Sequence, residues 1–153
     1  MPDTQTPIIL EALVEALETM AFVALLPAES PDAPPSDPRL VSIEFTRPSP
    51  GRIELVAPVS FGALLAANLQ GIAPEDQQAI DGGDDALREL LNVTCGSLLL
   101  KRAAACSEPF RVSIPQIRPF DAQQGWAAFI GRDGAHVLNA DGDTIAIWLT
   151  GLE

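Results

Sequence analysis

The chain is poor in the residues that most often carry metal or redox chemistry, with one histidine and two cysteines among 153 residues. These cannot make up a zinc tetrad, and neither an H-E-x-x-H nor a C-x-x-C spacing occurs, which argues against structural zinc. Two cysteines also make no disulfide framework, so Cys95 and Cys106 read as reduced thiols, more suited to burial than to redox work. Positive charge is scarce as well. Nine basic against 21 acidic residues give a net charge of −12, which repels phosphate backbones and anionic headgroups, so neither nucleic acid nor a membrane surface is an expected partner. No run approaches the ~18 uninterrupted apolar residues of a membrane span. The N-terminus lacks the basic stretch of a signal peptide, and the expectation is a cytoplasmic protein.

A chain of this length can bury about two thirds of its unfolded surface without disulfides or metals, so 1–153 is read as one domain. Thr6-Pro7 opens a helix that the periodicity carries to about Leu26, with Leu10, Leu13, Leu17, Met20, Ala21 and Ala24 on its apolar face and Glu11, Glu15 and Glu18 opposite. Residues 27–39 hold five prolines and read as a loop outside the core. Val41, Ile43 and Phe45 alternate with polar residues as in a half-buried strand, and 51–59 pairs with it across RPSPG. Ser60 is placed to cap a helix over 61–70 that Gly71 stops, and 74–80 form a further short helix. Later, 110–118 read as a strand weakened by Pro115. The segments 126–130, 136–138 and 145–150 read as an antiparallel meander. Asn139 to Asp143 faintly suggest a calcium loop, but the glycine and glutamate that such a loop needs are missing, and the stretch reads as a hairpin turn. His136 stands near a turn with no serine or cysteine motif and reads as an ordinary strand residue.

The longest helical pattern runs from Asp84, its expected N-cap, to Arg102. At about 100° per residue, Leu87, Leu91, Thr94, Cys95 and Leu98 share one stripe, while Asp85, Glu89, Asn92 and Gly96 share the opposite one. Glu89 and Asn92 are neighbours on the surface, and Gly96 lies one turn further on. A mid-helix glycine costs about 1 kcal/mol relative to alanine, which suggests that something approaches the backbone there. Val93, Leu99 and Leu100 flank the polar line. A Glu-x-x-Asn spacing alone is a weak motif, because chance composition produces it about once in a few hundred residues. With its cleared patch and apolar flanks, however, this one reads as a docking surface.

The run ELLNVTCGSLLLK resembles the E-x-x-N-x-x-x-G helix of the CheX, CheC and FliY family of chemotaxis phosphatases. LVEALETMAF resembles that family's first helix, and the S-x-P run at 113–115 resembles the strand following its E-x-x-N helix. CheC carries a second E-x-x-N site on the first helix, whereas this chain has Glu15-x-x-Glu18 there, which favours a CheX-like branch with one site. Ser97 stands where the family usually has Asn, and Arg118-Pro119 where it often has a glycine. The element order is that of an α+β domain with helices covering one face of a largely antiparallel sheet.

The resemblance implies a phosphatase acting on the phosphoaspartate of a CheY-like response-regulator receiver domain. Asn92 would orient the attacking water, Glu89 would bind the receiver lysine, and Gly96, Val93, Leu99 and Leu100 would form the docking surface. No cofactor or metal belongs to this chain on that reading; Mg²⁺ comes with the receiver. CheX-like relatives pair through sheets, and Ile145, Ile147 and Leu149 suggest a regular C-terminal strand with an open edge, so a homodimer is expected. The alternatives are a non-catalytic receiver-binding or signalling adaptor using the same face, and a structural domain in which Glu89 and Asn92 only cap or solvate.

Overall fold

The computed structural model describes residues 7–47, 50–102 and 111–151. Thr6, Cys106 and the middle of the RPSPG turn lie outside them. Seven strands form one sheet in which every pairing is antiparallel: β1 (Leu25–Pro27), β2 (Pro38–Arg47), β3 (Gly51–Pro58), β4 (Arg111–Val112), β5 (Gln116–Pro119), β6 (Ala135–Ala140) and β7 (Asp143–Thr150). Their order is β1-β6-β7-β3-β2-β4, with β5 also on β2. The helices are α1 (Ile8–Ala21), α2 (Val59–Gln70), α3 (Gln77–Asp81), α4 (Gly83–Arg102) and α5 (Ala122–Ile130). This is an α+β fold.

Successive strand residues point to opposite faces of a sheet, so β2, β3, β6 and β7 each serve two cores here. On one face, Ile43, Phe45, Ile53, Leu55, Ile145 and Ile147 meet Leu13 and Leu17 of α1, Phe61 and Leu65 of α2, and Leu87, Leu90 and Leu91 of α4. On the other, Leu40, Val56 and Ala146 meet Trp126 and Phe129 of α5. Helices therefore cover both faces, not one as expected. The difference comes from 126–130, which form a helix and not a strand. Asp121 caps it, its Oδ1 accepting from the amides of Gln123 at 3.1 Å and Gln124 at 3.3 Å. Ala122, Trp126, Phe129 and Ile130 then recur at helical spacing on the side that meets the sheet.

Three further expectations change. The first helix stops at Ala21, because Phe22 takes a left-handed conformation (φ 56°) and the amide of Asn68 donates to the Ala21 carbonyl at 2.9 Å. Leu25 to Pro27 then pair with β6 as a strand. Ser60 lies within α2 and does not cap it; its hydroxyl donates to Asp143 at 3.0 Å. The proline-rich loop is also shorter and better anchored than expected. Pro27 and Pro38 belong to strands, Pro35 is buried, and Trp126 Nε1 donates to the Pro31 carbonyl at 3.1 Å.

β7 lies between β6 and β3, so it offers no open edge to a second copy. The strand-addition route to a dimer through Ile145, Ile147 and Leu149 is thereby excluded; Ile145 and Ile147 are core residues. The Asp141-Gly142 turn joins β6 to β7 with positive φ at both residues, and the Asn139 side chain accepts from the Gly142 amide at 3.0 Å.

Candidate functional site

α4 is positioned by its buried side. Leu87, Leu90, Leu91, Cys95 and Leu98 are fully buried, each leucine worth about 1.5–3 kcal/mol relative to exposure. Thr94 sits among them, and its hydroxyl donates back to the Leu90 carbonyl at 2.7 Å, so a polar group is accommodated without a partner from another element. Asp84, expected as the N-cap, falls inside the first turn, where Asp84 and Asp85 face the positive end of the helix dipole. The helix can start at Gly83 because its backbone lies against α2. A Cβ on Gly62 would come within 2.8 Å of the Gly83 carbonyl oxygen, so this crossing requires glycine.

Gly96 differs from that pair. Among the described residues, a Cβ there would meet nothing beyond the local helix backbone within 4 Å, so their packing does not account for the residue. Glu89 and Asn92 are exposed on the same side of α4, and among the described residues neither side chain makes a hydrogen bond or ion pair. The nearby Arg88 is engaged with Asp85. Val93 is half-buried and Leu100 is 64% exposed. Leu99 departs from the expectation: it is fully buried and belongs to the core, so it contributes nothing to a docking surface. Its position follows from α4 packing against both α1 and the sheet, which makes the buried arc wider than the single leucine stripe.

A hollow of about 540 Å³ opens beside Gly96, lined by Val93, Gly96, Ser97, Leu100 and Lys101 of α4 and by Glu15 of α1. The two oxygens of Glu15 are divided between α4 donors: Ser97 Oγ at 2.8 Å and Lys101 Nζ at 2.6 Å. The hydrogen bond from Lys101, followed by that from Ser97, holds the Glu15 carboxyl below its ordinary value and in turn raises the lysine. In the sequence, Glu15 is only one of three acids opposite the apolar face of the first helix. The only available signal was a line of acids at helical spacing on α1 and Ser97 and Lys101 four apart on α4, with nothing to say that the two lines meet.

A second hollow, of about 580 Å³, lies at the start of α4 among Asp37, Arg39, Val59, Ser60, Glu75, Asp81 and Asp84, and contains none of Glu89, Asn92, Val93, Gly96, Leu99 and Leu100. Among the described residues, no group of three or more His, Cys, Asp and Glu side chains is arranged to hold a metal ion. No described helix is long and apolar enough to cross a membrane.

No protein-family model matches the chain, and no curated protein matches it in sequence. Solved structures do match its fold. CheX from Desulfovibrio desulfuricans superposes with a TM-score of 0.66 at 15% identity, over 94% of this chain and 95% of that one. The chain has the CheX, CheC and FliY fold. Thermotoga maritima FliY shares the fold at a TM-score of 0.60 and 14% identity, covering 95% of this chain and 92% of that one. CheX in the CheX-CheY-BeF3-Mg²⁺ complex from Borrelia burgdorferi gives a TM-score of 0.59 at 14% identity, covering 94% and 96%. Coverage is thus nearly complete in both directions.

Proposed function

We propose that the protein is a phosphatase acting on the aspartyl phosphate of a CheY-like receiver domain, with α4 as its working surface. The observation that carries this reading is the exposed pair of Glu89 and Asn92, unengaged among the described residues, beside a glycine that their packing does not need. A protein of the same fold occurs in complex with CheY, BeF3 and Mg²⁺, in which the beryllofluoride stands in for the phosphoryl group, and this supports a receiver as partner.

The chemistry needs little from the enzyme. An aspartyl phosphate hydrolyses unaided, and a 100-fold acceleration removes only about 2.7 kcal/mol from the barrier. The Asn92 carbonyl oxygen accepts from a water, and its NH₂ group donates to a phosphoryl oxygen, which fixes the water in line with the bond to the receiver aspartate. The water oxygen forms the new bond to phosphorus as the bond to the aspartyl oxygen breaks; the aspartate leaves as a carboxylate and the water proton goes to the departing phosphate. Glu89 accepts from the receiver lysine and sets the register of the two surfaces. On this reading Mg²⁺ and lysine belong to the receiver, where they neutralise charge on the phosphoryl group, and this chain needs no cofactor of its own.

The test is loss of phosphate from a panel of ³²P-labelled receiver domains, with and without the protein. Acceleration for at least one receiver supports the proposal. Binding to a beryllofluoride-loaded receiver with no acceleration makes the chain an adaptor that uses the same face, and neither binding nor acceleration removes the receiver reading.

A further inference from the structure

We infer that the hollow beside Gly96 is the specificity pocket of the docking face, seating an apolar side chain of the receiver flanked by basic residues, and that Glu15 is the positioning residue that keeps its rim neutral. This rests on the receiver reading above.

Continuity with the proposed site is the first reason. Asn92, Gly96 and Leu100 follow one another at successive turns of α4, spanning about 12 Å at the rise of a helix. A standard interface covers about 800 Å² on each partner, so a receiver whose phosphoryl group lies beside Asn92 also lies over the hollow. Apolar character is the second. Val93 and Leu100 form the walls, Gly96 leaves the floor open, and Leu100 holds an apolar edge 64% exposed in water. Covering that edge with another apolar group is favourable, whereas a charged group placed there would lose hydration.

Charge is the third reason. Glu15 and Lys101 are paired, so the rim has no net charge to offer an ion. Just beyond it the face is acidic: Glu11 is close enough to act on Lys101 electrostatically, and Glu89 stands unpaired among the described residues. An uncharged side chain with basic neighbours complements this arrangement. Ser97 and Lys101 both reach Glu15, and these contacts set α1 against α4 and hence the width of the hollow. Without the carboxylate, Lys101 would stand as a bare cation at the rim, facing the basic flanks of its partner.

The experiment measures affinity of receiver domains loaded with beryllofluoride and Mg²⁺, and kcat and KM on the same receivers phosphorylated. Leu100→Ala is expected to raise Kd about tenfold, while Leu69→Ala, exposed on α2 and outside the hollow, leaves Kd unchanged. Glu15→Gln is expected to raise KM with little change in kcat, and adding Lys101→Met to it restores KM by removing the stranded cation. A role confined to stability would not show that rescue. If wild type binds a receiver and Leu100→Ala binds it equally well, or if Leu69→Ala loses as much affinity as Leu100→Ala, the pocket assignment is overturned while the receiver reading stands. Failure of the double substitution to restore KM overturns the role given to Glu15. If wild type binds none of the receivers, both readings fall together.

Discussion

Ser97 of α4 donates its hydroxyl to the carboxylate of Glu15 on α1 at 2.8 Å, joining residues 82 apart in the chain. The contact uses the acid that begins Glu15-x-x-Glu18, at the place where a second E-x-x-N site would begin. With both oxygens of Glu15 engaged and a carboxylate in place of the amide at Glu18, α1 supports α4 and does not duplicate it. The proposed chemistry therefore rests on one helix, and the variants that test it are few.

Asn92 and Glu89 should fail in different ways. Asn92→Ala is expected to leave receiver binding nearly intact and to slow dephosphorylation by one to two decades, or about 1.4–2.7 kcal/mol. Glu89→Ala should weaken docking as well as turnover. Both should melt like wild type, since both side chains are exposed. Rates at saturating and sub-saturating protein separate the two effects, and full activity of Asn92→Ala at saturation would rule out its role in orienting water.

Gly96→Leu should fold at least as well as the parent. Among the described residues, nothing outside the local helix backbone lies within 4 Å of the added Cβ, and helix propensity improves by up to about 1 kcal/mol. Receiver affinity should nevertheless be lost, because leucine fills the floor of the docking face. A raised melting temperature with undiminished binding would show that the glycine does not mark this surface.

His136, the only histidine, makes stability depend on pH in a window apart from the carboxylates. Burial on β6 lowers its folded pKa below the ordinary 6.5, so the unfolded chain takes up a proton that the folded protein resists. Its contribution is fully present above 6.5 and declines as pH falls below that value, levelling off once the folded pKa has been passed. Melting temperatures measured from pH about 7.5 down to about 5.5 should fall for wild type and stay flatter for His136→Asn, above the range where most carboxylates titrate. Parallel curves would exclude His136 as the source.

Cys95 should be silent toward thiol reagents in the native state. Burial raises its thiol to about 11, so thiolate is scarce at neutral pH, and the side chain is shut in the core. In a Cys106→Ser background, reaction with a chromogenic disulfide is expected only on unfolding. Fast native-state labelling would contradict the packing of α4.

Local pattern was sufficient for the parts of this protein whose neighbours in space are also neighbours in sequence. The amphipathic stripe of α4, the β2–β3 hairpin, the Gly71 helix stop and the Asp141-Gly142 turn are each set by periodicity or by backbone conformations that few residues adopt. Glu89, Asn92 and Gly96 were legible for the same reason: helix geometry alone aligns residues three and four apart. Tertiary structure decided everything that depended on which elements meet. A short apolar run does not reveal whether it is strand or buried helix, and 126–130 became α5 because Asp121 caps it and the second face of the sheet needed cover. The place of β7 in the sheet interior, the end of α1 at Ala21 and the burial of Leu99 likewise follow from partners far away in the chain. The clamp of Glu15 by Ser97 and Lys101 belongs with these, because a side chain's rotational pattern shows which way it points from its own helix, but only packing determines what stands opposite.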